Sequence, residues 1–304
     1  MTAAAAPRDG WLTQRERGVL WLIRFTFAVA GLLGRRFMKL VVAGIALWYR
    51  LFDRRAVAAS RQWLTRVEGS APGFWRVYRH IRTFAQVTLD RVFLITDRFG
   101  CFAITHTGHE LLDAQVATGR GAVLLGAHLG SFEAMRAGSS KTQLRVRILG
   151  YFQNARMINE LLTGLNPERA ATVIHIGDDP VGVMASVRAR IDGGEFVAVL
   201  GDRTGLNERT TTATFCGEAA RFPSGPFLLA SLLHCPVYLT FGVYRAPNRY
   251  ELRCERFAER IDLPRGRRDE ALREVVQRYA DRLEHHARSA PDNWFNFFDF
   301  WSKP

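Results

Sequence analysis

From about residue 101 onward, short apolar runs of β-forming residues alternate with segments of helical periodicity. Two of the runs, Ala122–Gly126 and Phe196–Leu200, contain no polar side chain, as in strands that are covered on both faces. Strands that alternate with helices form a sheet with helices packed on both faces. We therefore predict an α/β fold with a mixed, mostly parallel central sheet.

The other predicted elements continue this alternation. Further strands are expected at Cys101–Thr105, Arg145–Leu149, Thr172–Ile176, Val237–Tyr244 and Glu251–Arg256, with a hairpin at Thr212–Phe215 and Ala219–Phe222. Helices are expected at Glu110–Ala117, Ile158–Leu165, Val181–Ile191, Phe227–His234 and Asp269–Arg288. The charge-free stretch Phe222–Tyr244 has the length of a membrane span, but Pro236 interrupts it. We therefore interpret it as a buried helix followed by a strand.

The first seventy residues have a different character. Apolar stretches at Val19–Ile23, Phe25–Leu33 and Leu40–Tyr49 are interrupted by arginine and lysine, and tryptophans lie beside the basic residues. None of them reaches the ~18 charge-free residues that a confident membrane span needs, whereas the mixture is typical of interfacial helices. We predict that residues 1–70 form one or two membrane-associating helices and that residues 71–304 form the main domain. Packing of these helices on that domain is one alternative, and a true crossing of the membrane is another.

Charge and cysteine usage narrow the classes of partner. The formal net charge is +13, with a pI near 10.4, which predicts an anionic partner such as acidic lipid, acidic protein or nucleic acid. No nucleic-acid-binding motif accompanies this charge, so nucleic acid is not expected. The four cysteines are dispersed, and His106 and His109 have no further ligand nearby, so no metal is expected. Nucleotide-binding and serine-hydrolase motifs are also absent from the sequence.

A candidate catalytic pair follows the first buried run. His128 lies just after Ala122–Gly126, at the end of a strand where ligands bind in parallel sheets, and Glu133 lies five positions further on. The two side chains meet if Gly130 lets the chain bend between them. A carboxylate on one ring nitrogen raises the basicity of the other. We therefore predict that His128 is a general base oriented by Glu133; a histidine that only packs in the core is the alternative.

The His128-x4-Glu133 pattern after a buried strand resembles the active-site motif of the bacterial lipid A biosynthesis acyltransferases, within the wider glycerolipid acyltransferase superfamily. Five other segments resemble this family in the same order: Gly108–Leu112, Val199–Arg203, Phe215–Ala220, Pro223–Ala230 and Pro291–Phe295. Two departures point to a divergent branch. Tyr151-Phe152-Gln153 stands where the family has Tyr-Arg, and Arg203 stands where glutamine is common.

The resemblance implies transfer of a fatty acyl or polyene acyl group, from acyl carrier protein or acyl-CoA, to a hydroxyl of a lipid-like acceptor. His128 would take the hydroxyl proton, and no cofactor or metal is implied. The residues expected to bind substrate or the developing oxyanion are Arg156, Asp202, Arg203 and Gly225. The expected location is the cytoplasmic face of the bacterial inner membrane, where a basic surface would attract anionic lipid and acidic carrier protein.

Other interpretations remain open at the level of sequence. A non-catalytic basic protein that binds membrane lipid would use the net charge and would not need His128. A hydrolase would direct the same His128–Glu133 pair at water. The aromatic side chains around Phe222, Phe227 and Leu228 and along Trp294–Trp301 are expected mainly in the core, with an acyl-binding groove as the alternative.

Overall fold

The computed structural model describes residues 20–139, 144–150, 173–175, 179–204 and 208–301. The strands are β1 Ala103–Thr107, β2 Val123–Gly126, β3 Val146–Gly150, β4 Val173–His175, β5 Phe196–Leu200, β6 Thr210–Phe215, β7 Glu218–Pro223, β8 Val237–Arg245 and β9 Arg249–Ala258. Seven of them form one sheet in the order β1-β9-β8-β2-β5-β3-β4, and β6 and β7 form a separate hairpin. Within the sheet only β8 and β9 are antiparallel, which confirms the mostly parallel prediction.

The helices are α1 Leu20–Phe52, α2 Arg54–Glu68, α3 Phe74–Ile95, α4 His109–Ala117, α5 Phe132–Ser139, α6 Pro180–Asp192, α7 Gly225–Leu233 and α8 Arg268–Ser289. From residue 101 onward, the predicted strands and helices in the described ranges agree with the structure to within two residues at each end. The stretch Phe222–Tyr244 divides into α7 and β8, as expected from Pro236. The predicted helix Ile158–Leu165 lies outside the described residues.

Side chains of β2 show how both faces of the sheet are covered. Val123 and Leu125 point into the main core, which they share with Val276 of α8. Leu124 points to the other face, where it packs in a second cluster with Leu112 of α4. The alternation follows from the two-residue period of a strand. Helices therefore lie on both faces of the sheet.

The N-terminal helices pack on the rest of the chain. Met38 and Val42 of α1 are buried in a cluster with Val92 of α3, and Arg35 forms a buried ion pair with Asp90, Nε to Oδ1 at 2.8 Å. No described helix is both long and apolar enough to cross a membrane. A boundary near residue 70 stays a prediction.

The C-terminal aromatic residues contribute mainly to the core. Phe222, Phe227 and Trp294 are fully buried in the main cluster, and Trp294 packs against Trp63 of α2 with ring centroids 4.6 Å apart. These contacts agree with the core interpretation of the aromatic run. They also hold the chain segment Asn293–Asn296, named the strap below, against α2.

Candidate active site

The turn that follows β2 carries His128 and is held by the strap, Asn293–Asn296. The backbone N–H of Phe295 donates to the carbonyl of His128 at 2.8 Å, and the N–H of Gly130 donates to the carbonyl of Asn293 at 2.9 Å. Such bonds satisfy backbone groups that a turn would otherwise leave unpaired. The strap therefore fixes the position of His128 relative to the carboxyl end of the sheet.

Gly130 lets the chain turn from β2 into α5. Its φ is +80°, and an added Cβ would lie 2.0 Å from the carbonyl oxygen of Gly242. The following residue, Ser131, caps α5, because its hydroxyl accepts the N–H of Ala134 at 3.1 Å. A residue without a side chain is therefore required between His128 and the helix.

The carboxylate that contacts His128 is that of Asp202, just beyond the end of β5. Asp202 Oδ1 lies 2.8 Å from His128 Nδ1, and Oδ2 accepts the backbone N–H of His128 at 3.0 Å. Two further donors reach Oδ2: Trp294 Nε1 at 3.2 Å and Asn296 Nδ2 at 2.9 Å. The Asp202 side chain is fully buried, whereas 26% of the His128 side chain is exposed. The imidazole therefore has one edge anchored in the protein and surface left for a substrate.

The pKa shifts of Asp202 and His128 leave the carboxyl group ionised and the imidazole neutral. Burial alone would raise the pKa of the Asp202 carboxyl, but attraction to His128 and the hydrogen bonds from its ring and backbone lower it to about 2. Burial and the neighbouring Arg203 guanidinium lower the pKa of His128, and Asp202 only partly opposes them. An ionised carboxylate only accepts hydrogen bonds, so Nδ1 of the neutral ring carries the hydrogen and Nε2 carries a lone pair. The ring is thus neutral near pH 7 and able to accept a proton.

Glu133 occupies a different position from the one expected. Its carboxylate pairs with Arg91 of α3, Oε1 to Nη2 at 2.6 Å, and accepts the hydroxyl of Ser131 at 3.3 Å. The predicted hydrogen bond to His128 was wrong, because β2 and β5 are neighbours in the sheet and their ends bring Asp202 to the ring. Glu133 instead joins the first turn of α5 to α3.

The structure brings Arg203 to the site as well. Its Nε donates to the side-chain oxygen of Asn296 at 2.7 Å, and Nη2 donates to the carbonyl of Phe295 at 2.7 Å. Burial lowers the pKa of Arg203 to about 10, with Asp202 opposing, so the guanidinium stays charged at neutral pH. The remaining expected residues are not brought to His128 by any contact that the described ranges contain. Gly225 begins α7 next to Glu208, and Arg156 lies outside those ranges.

Comparison with known sequences decides the family. The sequence profile of the bacterial lipid A biosynthesis acyltransferases matches residues 10–303, nearly the whole chain. The chain belongs to this family. Membership implies an acyltransferase of the lipid A type in general. A search of curated proteins found no match to the sequence.

In this lipid A acyltransferase family member, an apolar cleft lies between α4, α5 and the sheet. Its volume is ≈ 550 Å³, including its opening to solvent. Apolar side chains dominate the lining and include Leu112, Leu124, Phe132, Met135 and Leu252. Phe132 and Met135 belong to the helix that follows the His128 turn, so the cleft adjoins the segment that carries the candidate base.

Two residues of the candidate site were not predicted from the sequence. Arg91 lies in α3, a helix that was not predicted and whose buried face carries the polar side chains His80, Gln86 and Asp90. Asn296 lies within the aromatic run, where only the packing of the rings was considered. An isolated amide among aromatic residues was a usable signal, since a polar group buried in such surroundings needs specific partners.

Proposed function

We propose that the chain transfers an acyl group from a thioester, on acyl carrier protein or coenzyme A, to a hydroxyl of a lipid-like acceptor. The observation that carries the proposal is the His128–Asp202 pair at 2.8 Å, with a buried, ionised carboxylate on Nδ1 and a partly exposed ring. Family membership supplies the reaction class. The base itself is an inference from the geometry.

In the proposed reaction, His128 Nε2 takes the proton of the acceptor hydroxyl as its oxygen attacks the thioester carbonyl. A carbon–oxygen bond forms, and the carbonyl oxygen acquires the negative charge of a tetrahedral intermediate. Collapse breaks the carbon–sulfur bond, and the thiolate leaves with the proton that His128 accepted. Asp202 stabilises the transient imidazolium, and the Arg203 guanidinium is the proposed partner of the oxyanion.

Glu133 has a supporting part in this proposal. It neutralises Arg91, and the positive charge of Arg91 is one of the causes that lower the pKa of His128. It also ties the start of α5 to α3 through an ion pair of 2.6 Å. Both effects act on the surroundings of the turn, so its contribution to transfer is smaller than that of Asp202.

The apolar cleft is the proposed site for the acyl chain. Binding of an alkyl chain is favourable where apolar surface is removed from water, and the lining of the cleft is largely apolar. Phe132, four positions after His128, lines the cleft, so an acyl chain bound there would lie beside the helix that follows the candidate base.

A surface formed by α1 and the start of α3 supports attachment to an anionic membrane. Leu40, Trp48 and Phe52 of α1 are 72%, 56% and 66% exposed, at positions that fall on one side of the helix, and Trp75 of α3 is 70% exposed. Between Leu20 and Arg66 the chain has nine basic residues and one acidic residue. Aromatic side chains beside arginine favour the lipid headgroup region. The proposed location is the cytoplasmic face of the bacterial inner membrane.

The proposal is tested with His128→Ala and a matched control, His285→Ala, whose ring is exposed on α8. Purified protein is incubated with a labelled acyl carrier protein thioester and a bacterial lipid extract, and the products are identified by mass spectrometry. We expect His128→Ala to lose about 100- to 10,000-fold in acyl transfer while the control retains it. Full activity of His128→Ala refutes the proposal. Free fatty acid as the sole product, whether or not lipid is present, indicates a hydrolase.

A further inference from the structure

The strap contains two asparagines that are each 2% exposed, Asn293 and Asn296. A buried amide is costly unless both its oxygen and its nitrogen are hydrogen-bonded. Both groups of the Asn293 amide are hydrogen-bonded to the backbone of Tyr244. Oδ1 accepts the Tyr244 N–H at 2.7 Å, and Nδ2 donates to the Tyr244 carbonyl at 3.0 Å. Its side chain therefore fastens the strap to β8.

The amide oxygen and nitrogen of Asn296 instead form hydrogen bonds with charged side chains. Its Nδ2 donates to Asp202 Oδ2 at 2.9 Å, and its Oδ1 accepts from Arg203 Nε at 2.7 Å. The amide thus lies between a buried carboxylate and a partly buried guanidinium that are consecutive in the chain. The amide N–H therefore faces the negative carboxylate, and the amide oxygen faces the positive guanidinium.

This arrangement determines which of two donors, His128 or Arg203, binds the Asp202 carboxylate. Arg203 and His128 both carry donors that suit Asp202, and a bidentate arginine–carboxylate pair is among the strongest side-chain interactions. If Arg203 took both oxygens, the ring Nδ1 of His128 would lose its partner. Asn296 and the carbonyl of Phe295 occupy two guanidinium nitrogens of Arg203, and Asn296 leaves Oδ1 of Asp202 to the ring.

Side chains of similar size do not meet both requirements. An aspartate at position 296 would accept from Arg203 but would repel the Asp202 carboxylate. A leucine would leave Asp202 with one donor fewer and release Arg203 Nε. An amide, with a donor and an acceptor on one planar group, matches both neighbours at once.

We propose that Asn296 is a positioning residue that keeps Asp202 directed at His128 and Arg203 directed away from Asp202. The consequence for acyl transfer rests on the proposed function, since Asn296 acts through His128 and touches no reacting atom. The hydrogen-bond arrangement itself is independent of the reaction. It can therefore be tested on the resting protein.

The test is an NMR titration of the His128 ring in labelled protein, in the wild type, Asn296→Leu, Asn296→Asp and Asn293→Ala. Asn296→Leu lets Arg203 weaken the Asp202–His128 contact, so the pKa of His128 decreases. Asn296→Asp adds a negative charge beside the site, so the pKa of His128 increases. The control Asn293→Ala loses two hydrogen bonds to backbone at the other end of the strap, so it lowers thermal stability and shifts the pKa of His128 less than either Asn296 variant does.

Kinetics give the second readout. We expect Asn296→Leu to lower kcat by about 10- to 100-fold, with KM changed by less than about twofold, because a hydrogen bond to a charged group is lost without loss of substrate contacts. If both Asn296 variants fold and His128 titrates in them with the wild-type pKa, the inference is overturned, whatever the activity. If the titrations shift as expected but His128→Ala still transfers acyl groups, the positioning role stands and the proposed function fails.

Discussion

The identity of the carboxylate that serves His128 can be decided by comparing Asp202→Asn with Glu133→Gln. Both substitutions remove one negative charge and keep the shape of the side chain. The imidazolium and the Asp202 carboxylate would have charge centres about 4 Å apart, which contributes on the order of 4 kcal/mol at the effective dielectric of a protein site. Loss of that attraction in the transition state corresponds to about a 1,000-fold decrease in kcat.

Glu133→Gln removes an ion pair of another kind. Its partner Arg91 is 32% exposed, and pairs with access to solvent usually contribute no more than about 1 kcal/mol. The carboxylate makes no hydrogen bond to the His128 ring among the contacts of the described residues. We therefore expect Glu133→Gln to retain activity within about tenfold of the wild type.

The assay is single-turnover transfer of a labelled acyl group from acyl carrier protein to lipid extract, for both variants and the double variant. Thermal unfolding of each protein serves as the control for folding. Because Asp202 and Glu133 contact different partners, their effects on the logarithm of the rate should add in the double variant. A larger loss in Glu133→Gln than in Asp202→Asn would refute the reasoning and restore the pairing predicted from the sequence.

Four further outcomes follow from the structure. Because burial lowers the pKa of His128, kcat/KM should fall as the pH falls, with a midpoint below 6.5; a midpoint above 6.5 in the pH profile contradicts this. Gly130→Ala should destabilise the protein by at least about 2 kcal/mol more than Gly217→Ala in urea unfolding, since both have positive φ but only Gly130 faces a carbonyl at 2.0 Å. Met135→Trp should shift transfer toward shorter acyl donors, and an unchanged chain-length profile excludes the cleft. Trp48→Ser should weaken flotation with phosphatidylglycerol vesicles, and equal flotation with phosphatidylcholine contradicts the anionic-membrane proposal.

Much of the fold could be predicted because its signals are local. Ala122–Gly126 and Phe196–Leu200 carry no polar side chain, and the glycines Gly193 and Gly194 mark the end of a helix. Such patterns depend on residues within one element and survive whatever packs around it. The helix α3 shows the limit, since two polar side chains on its buried face, His80 and Asp90, have hydrogen-bond partners in distant segments of the chain.

The site was predictable only in part, for the opposite reason. His128 was found because it follows a buried strand, which is a local feature. Its contact with Asp202 spans 74 positions in the chain and depends on β5 lying beside β2, an order that the sequence of either strand does not contain. The nearest acidic residue, Glu133, was chosen because it is close in sequence and completes the His-x4-Glu pattern.

The same non-local geometry explains why the site needs the C-terminal strap. A carboxylate as buried as Asp202 is costly unless donors replace the water it has lost. Within the described residues four groups donate to it, two from His128 and two from the strap residues Trp294 and Asn296. The strap backbone also fixes the His128 turn. His128, its carboxylate partner Asp202 and the strap donors that support them therefore come from three segments that are distant in the chain.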